Sequence, residues 1–197
     1  MKENKFDLHV HSTHSFDGRA TVSQIMKHAK GILDGIAITD HDVISGLKEA
    51  QLEARKNGLI FIPGIELTTP SGDILLLGIN EMPNAETIEE LEDFVKDNNG
   101  AMIIAHPFAG PVPAKHFVEI PSVLKRFHAI EIYNAFTPLE ANLKAMMFAK
   151  EHKMTAIAAS DAHKLELIGK AFTIANASSA EEMIKAIKKG RVKVGWQ

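Results

Sequence analysis

Five short apolar runs in this chain end in histidine or a carboxylate, and that coincidence limits the available folds more than any other feature. The first is Phe6-Asp7-Leu8-His9-Val10-His11-Ser12. The others close on Thr39-Asp40-His41, Gly64-Ile65-Glu66, Ala105-His106-Pro107 and Ser160-Asp161-Ala162-His163. His9 and His11 stand two apart, so on a strand both side chains leave the same face. A fold that sets the ends of many strands around one opening would gather all of these groups there.

The rest of the pattern agrees with such a fold. Strands are expected over 6–10, 35–39, 60–65, 74–79, 101–105, 129–133, 155–159, 171–175 and 192–196. Several, such as LDGIAIT, DILLLGI and AMIIAH, are almost continuously apolar, as parallel strands covered on both faces are. Helices are expected over 21–30, 45–57, 85–98, 139–152 and 179–189. Val22, Ile25, Met26 and Ala29 recur at helical spacing in the first, and Ile88, Leu91 and Val95 in the third. Gly58, Gly100 and Gly190 supply stop signals. Strands alternating with helices predict a parallel α/β architecture. The first strand is followed by no G-x-G turn, which disfavours a dinucleotide-binding doubly wound sheet. The expected fold is therefore an α/β, TIM-like barrel with seven strands in the ring, formed as a single domain over 1–197.

Cysteine is absent. Any metal must then be held by imidazole and carboxylate, ligands that suit zinc, manganese, iron or magnesium. The net charge of −3 gives no reason to expect an extended nucleic-acid surface. No segment reads as a membrane span or a signal core, so a cytoplasmic location is expected. Each strand-end residue also has a plainer role open to it. Asp40 and Asp161 could cap helices, Glu66 could be a loop acid, and Pro107 could alone explain the turn after His106. Jointly these roles require polar residues to collect by accident at one end of nearly every strand. A polynuclear metal site accounts for all five together.

The segments DLHVHS, ITDHD, GIE, AHP and SDAH resemble, in order and approximate spacing, the motifs of the PHP family (polymerase and histidinol phosphatase domain). The resemblance covers nearly the whole chain and is nearest to the small stand-alone phosphoesterases. It implies a distorted (β/α)7 barrel holding two or three zinc, manganese or iron ions. It implies that His9, His11 and Asp161 hold the first metal, that Glu66 bridges the first and second, and that His106 ligates the second. Asp17, His41 and His163 would hold the third. Asp17 lies six residues after His11, where family members carry His or Asp. Glu66, Asp161 and His163 are the ligands on which catalysis is expected to rest. One departure stands out. Many relatives carry a histidine on the strand after the bridging Glu, and the stretch 73–78, DILLLG, has none. The second metal is thus expected to keep only Glu66 and His106 as protein ligands and to bind weakly.

Such a site implies hydrolysis of a small phosphomonoester or nucleotide by a hydroxide bridging two metals. Asp40 is expected to orient an imidazole from behind. Arg19 and Lys164 flank two ligand motifs and are candidate phosphate contacts. His14, His116, Glu131 and Asn134 are further candidates for the pocket, while His28 and His152 fall on helix patterns and read as solvent-facing. Two other readings stay open. A metal-dependent amidohydrolase also opens with H-x-H on its first barrel strand. A non-catalytic subunit of a nucleic-acid enzyme would shed ligands and gain basic surface. The ITDHD and SDAH pairs and the retained ligands favour the phosphoesterase.

Overall fold

In the computed structural model, which describes residues 2–109 and 114–197, the strands join in one sheet that curls almost into a barrel. In chain order the elements are β1 (Asn4–Asp7), α1 (Val22–Ala29), β2 (Gly35–Ile38), α2 (Leu47–Asn57), β3 (Ile60–Thr69), β4 (Gly72–Leu77), α3 (Ile88–Asp97), β5 (Ala101–Ile104), α4 (Lys115–Glu119), α5 (Pro121–Leu124), β6 (Ala129–Asn134), α6 (Leu139–His152), β7 (Ala156–Ala159), β8 (Ala171–Ala175), α7 (Ala180–Lys188) and β9 (Val192–Trp196). The sheet order is β7-β6-β5-β4-β3-β2-β1-β8-β9. Its ends approach each other: Thr173 Oγ1 on β8 donates to the Ala158 carbonyl on β7 (2.8 Å) and accepts from the Ala158 amide (3.1 Å).

The α/β barrel-like sheet expected from the sequence is present, with two departures from all-parallel pairing. β4 runs antiparallel to both β3 and β5. Only Pro70 and Ser71 separate β3 from β4, too few residues for a crossover, so the two strands form a hairpin. β8 also pairs antiparallel with both β1 and β9.

The two faces of the sheet explain the nearly continuous apolar runs. Along β4, Leu75 and Leu77 join an interior cluster with Phe6, Leu8, Ile62 and Ile103, while Ile74 and Leu76 join an outer cluster with Leu91 and Val95 of α3. Ile36 and Ile38 of β2 pack beneath Ile25 and Met26 of α1 and Ala50 and Ala54 of α2. Helix α7 joins the interior cluster through Met183 and Ile187. It lies at the end where β5 begins, with Lys188 Nζ donating to the Asn99 carbonyl (3.3 Å). Helix starts are set locally. Thr21 with Gln24, and Thr87 with Glu90, form reciprocal capping boxes, and the Ser179 side chain accepts from the Glu182 amide.

Leu75 is fully buried, whereas Leu52 on α2 is 61% exposed. Leu75→Ala should cost about 2–5 kcal/mol, and Leu52→Ala should stay within about 0.5 kcal/mol. Urea unfolding of the two variants against the parent chain measures both. Equal losses would contradict the placement of the interior cluster.

Candidate metal centre

Backbone pairing at the barrel mouth zips the ligand segments together. The His11 amide donates to the Ala162 carbonyl (3.0 Å) and the Ala162 amide to the His9 carbonyl (3.3 Å), aligning the first strand's extension with the segment that carries Asp161 and His163. The Glu66 amide donates to the Asp40 carbonyl (3.3 Å) and the Asp42 amide to the Glu66 carbonyl (3.0 Å), which lays His41 beside Glu66. In the β3–β4 hairpin Glu66 faces Leu75 and Thr68 faces Asp73. Directly opposed residues share a face, so Glu66 and Asp73 emerge on the same side as the interior residue Leu75. His106 follows β5 with φ at +22°, and Asp161 follows β7 with φ at +52°. Both are conformations that non-glycine residues rarely adopt, and such strain gathers at functional sites.

The result is three overlapping groups of donor atoms: His9, His11, Glu66 and Asp161; Glu66, Asp73 and His106; and His11, Asp17, His41 and His163. Glu66 Oε2 lies 2.9 Å from His9 Nε2 and 3.1 Å from His11 Nε2, while Glu66 Oε1 lies 3.0 Å from His106 Nε2. Asp161 Oδ1 lies 3.1 Å from His11 Nε2, and Asp17 Oδ2 lies 2.9 Å from His163 Nε2 and 3.4 Å from His41 Nε2. Asp17 reaches the group because the loop from Ser12 turns back on itself. A β-carbon at Gly18 would collide with the Ser12 carbonyl, so only glycine fits that turn.

A further layer orients these ligands. A carboxylate oxygen can only accept, so His9 donates from Nδ1 to Glu131 Oε1 (3.2 Å), leaving Nε2 to face the cluster. His163 Nδ1 likewise donates to the Asp161 carbonyl (2.9 Å). Glu131 Oε2 accepts from the His106 amide (2.9 Å) and from Asn134 Nδ2 (3.0 Å), and the same amide group of Asn134 donates to Asp161 Oδ2 (3.0 Å). A register irregularity in β6 between Glu131 and Tyr133 makes this possible. One extra residue there returns position 134 to the face of position 131.

Hydrogen bonding among the ligands leaves part of the cluster unaccounted for. His11 Nδ1, His11 Nε2 and Asp161 Oδ1 are buried and make no hydrogen bond. Four donors about 2.1 Å from one zinc ion in a tetrahedral shell stand about 3.4 Å apart, close to the spacings found here. The donor set fits divalent metal, although ions are not part of the structure. Charge follows the same logic. Burial alone would depress the His11 and His106 imidazoles, but adjoining carboxylates, Asp161 and Glu66 for His11 and chiefly Glu66 for His106, raise both to about 9. Burial would also depress His9, yet Asp161, Glu66 and Glu131 hold it well above the ordinary histidine range. Burial would raise Glu66, and the His9, His106 and His11 rings instead hold it well below the usual carboxylate range. Over the cluster opens a cavity of about 400 Å³ whose rim includes Phe16 and Phe136.

Comparison with known proteins places this geometry. The family model described as PHP domain matches residues 7–106, and one described as PHP-associated matches residues 140–192. The chain belongs to the PHP family. An uncharacterized protein of Methanocaldococcus jannaschii is 29% identical over 182 residues, which is 85% of this chain and 69% of that protein. A 3′,5′-nucleoside bisphosphate phosphatase of Chromobacterium violaceum is 37% identical over 67 residues, covering 34% of this chain and 23% of that protein. Among solved structures, a two-domain protein from Bacteroides vulgatus containing a predicted PHP-like metal-dependent phosphoesterase superposes with a TM-score of 0.79 at 18% identity. The match takes in all of this chain and 65% of that one, and at this identity it speaks for the fold.

Within this PHP fold, all eight ligands expected from the motifs fall in the three groups. Asp73 is the addition. It heads the very stretch that lacks the family's histidine, and its carboxylate lies 3.9 Å from His106 Nε2, which adds a third donor beside the two expected there. Its signal was the hairpin register. Asp40 is corrected in its partner. It accepts from the Ser12 amide (2.6 Å) and hydroxyl (2.7 Å) and so holds the first turn of the ligand loop in place of an imidazole. Arg19 and Lys164 are exposed and absent from the cavity lining, because their side chains leave the loop surfaces on which only their backbones are engaged. Among the described residues no Lys or Arg lines the cavity. His14 faces α2, with Nδ1 2.9 Å from Ser45 Oγ. The side chain of His116 lies outside the described part of the chain. Among the described residues no helix is long and apolar enough to cross a membrane.

Two outcomes follow for the metal-free chain. His11 and His106 titrate near 9 in the folded state against 6.5 unfolded, so the stability they contribute is complete below about pH 6.5 and lost as pH rises through about 9. Coordination needs deprotonated imidazole, so the metal-loaded chain should not share that loss. Thermal melts with and without chelator from pH 6.5 to 9.5 should diverge, and a chelated Tm that climbs over this window would contradict the charge assignment. Separately, Glu131→Gln should weaken metal affinity by about 10–100-fold through loss of the carboxylate behind His9 and His106. Titration against a competing chelator measures it, and an unchanged affinity would remove Glu131 from the site.

Proposed function

We propose that this chain is a metal-dependent phosphoesterase that hydrolyses a small phosphomonoester or nucleotide. The observation that carries the reading is the shared carboxylate of Glu66, fixed between two groups of donors within 2.9–3.1 Å of three imidazoles. His9, His11, Glu66 and Asp161 would hold one ion, Glu66, Asp73 and His106 a second, and Asp17, His41 and His163 a third. Zinc, manganese or iron suits these ligands. When bound, such ions lower the pKa of a water to about 7 and offset charge on phosphoryl oxygens.

The chain's own residues do the positioning. Glu131 and the Asp161 carbonyl hold the Nδ1 protons of His9 and His163, so that Nε2 of each ring faces the centre. Asn134 ties Asp161 to Glu131, which keeps a ligand of one group in step with the support of another. The absence of Lys and Arg from the described cavity lining leaves a substrate phosphate to the ions and their imidazoles. A volume of about 400 Å³ is that of a small-molecule site, within the usual range of about 300–1,000 Å³. Membership of the PHP family, and a relative whose name is that of a nucleoside bisphosphate phosphatase, support the phosphate ester over the cyclic amide.

Exhaustive chelation should abolish phosphate release from p-nitrophenyl phosphate, with recovery on adding manganese, zinc or ferrous iron. Cyclic amides assayed in parallel should not turn over. Glu66→Gln keeps the size of the side chain but removes its charge, and turnover should fall at least about a hundredfold with a loss of metal. His152→Gln, on an exposed ring that stacks on Phe148 (4.1 Å) on α6, should be nearly silent. Equal turnover in the two variants would show that the cluster is not the catalytic centre.

A further inference from the structure

Phe16 and Phe136 are 89% and 56% exposed, and both stand on the rim of the cavity above the ligand cluster. Isolated exposed apolar residues need no explanation, but two large rings flanking one polar opening do. Phe16 stacks on His41 with centroids 5.4 Å apart and planes at 28°, and Phe136 stacks on His163 at 4.7 Å and 27°. His41 and His163 each pack in turn on His11, at 4.8 Å and 4.4 Å. The five rings form one run, Phe16–His41–His11–His163–Phe136, alongside Asp17. Each phenyl ring has one face against an imidazole, which leaves the other for solvent or for a ligand.

Both rings are anchored to the segments that carry ligands. Phe16 lies in the loop where Ser15 Oγ donates to Asp17 Oδ1 (2.7 Å) and the Ser15 amide donates to the Ser12 carbonyl (3.0 Å). The Phe136 amide donates to Asn134 Oδ1 (2.9 Å), and Asn134 is itself bound to Asp161 and Glu131. Their distance from the cluster is therefore fixed by the same bonds that fix the ligands. Groups held in place in advance lose little freedom on binding. Phe16 and Phe136 are the phenyl rings of the described lining, which holds no Lys or Arg.

We propose that Phe16 and Phe136 form a stacking subsite that selects phosphoesters bearing a flat aromatic group, a nucleobase or an aryl ring, over sugar and alkyl phosphates. This rests on the phosphoesterase reading, which puts the phosphate at the cluster. Stacking on protein aromatics tolerates any base, because every base presents a π-face, and removing one such ring typically costs about tenfold or more in affinity.

Adenosine 5′-monophosphate and ribose 5-phosphate differ at C1′, where one carries the base and the other a hydroxyl, and so test the effect of the base. The metal-loaded chain would be compared with Phe16→Ala, Phe136→Ala, the double variant and Phe136→Tyr. The readouts are kcat/KM for both esters, calorimetric affinity for their non-hydrolysable methylenephosphonate analogues, and metal content. The parent should favour the adenine compounds by about tenfold or more in both measurements. Each alanine variant should lose much of that preference and the double variant all of it, with ribose 5-phosphate within about twofold of the parent, metal content unchanged and Phe136→Tyr close to the parent. A parent without preference, or a double variant that keeps it, overturns the subsite. An equal fall for both esters with loss of metal also overturns it, because the rings would then only position His41 and His163. Hydrolysis of both esters alike removes the subsite and leaves the phosphoesterase standing, whereas no binding or hydrolysis of either removes both.

Discussion

A carboxylate with 1% of its surface exposed keeps its charge only if positive groups surround it, and the barrel mouth is arranged around Glu66 on that condition. Three imidazole nitrogens lie within 3.1 Å of its oxygens, close enough for protonated rings to offset its charge. Protons on the imidazoles meet the condition in the metal-free chain, at the cost of holding histidines charged far above their ordinary range. Divalent ions meet it more fully, since each brings two charges to the same space and releases the protons. Protons and metal would thus compete for one place. The competition is built into the fold, because the atoms that would coordinate metal are the atoms that now face one another.

The barrel supplies that convergence through register. Parallel strands alone would bring His9, His41, His106 and Asp161 to a common end, each on its own strand terminus. The antiparallel excursion of β4 adds what a strictly parallel ring would not. It returns the chain to the mouth at Asp73, on the face shared with Glu66, so one hairpin contributes two carboxylates to one group. The irregularity in β6 does similar work by putting Glu131 and Asn134 on one face. These are local faults in regular pairing, and each sits beside the cluster.

The parts of this arrangement written into short contiguous motifs were legible in the sequence. H-x-H, D-H, G-I-E, A-H-P and S-D-A-H each put a ligand directly after an apolar strand, and period and polarity together mark such a position. The helix ends were legible through Gly58, Gly100 and Gly190, whereas α3 starts at Ile88, after the Thr87 cap, and not at 85 as expected. What escaped depends on partners distant in sequence. Asp73 reads as an ordinary hairpin acid until its register against Thr68 is known. Glu131 could be suspected of lining the pocket, but its bonds to His9 and to the His106 amide span 122 and 25 residues. Arg19 and Lys164 misled because proximity in sequence to a ligand says nothing about the direction of a long side chain. Asp40 misled because the nearest histidine in sequence is not its partner in space.

The same distinction explains how the strained ligands are kept in place. Asp161 has φ at +52°, and the segment that carries it is held from β1 by a buried acid outside the cluster. Asp7 accepts from the Ser160 amide at one oxygen (3.0 Å) and from the Gly169 amide at the other (2.9 Å). Burial pushes its carboxyl up to about 6, while the bonds from Ser160 and Gly169 pull the other way. The two amides lie nine residues apart, so Asp7 ties both ends of a loop whose middle is paired to the first strand's extension through Ala162. β1 therefore contributes twice. Its extension presents His9 and His11, and two residues earlier it fixes the loop that presents Asp161 and His163. Strain at Asp161 persists because that loop is over-determined from outside the metal centre. The geometry of the centre thus depends on Asp7, which opens the DLHVHS motif yet belongs to none of the three donor groups.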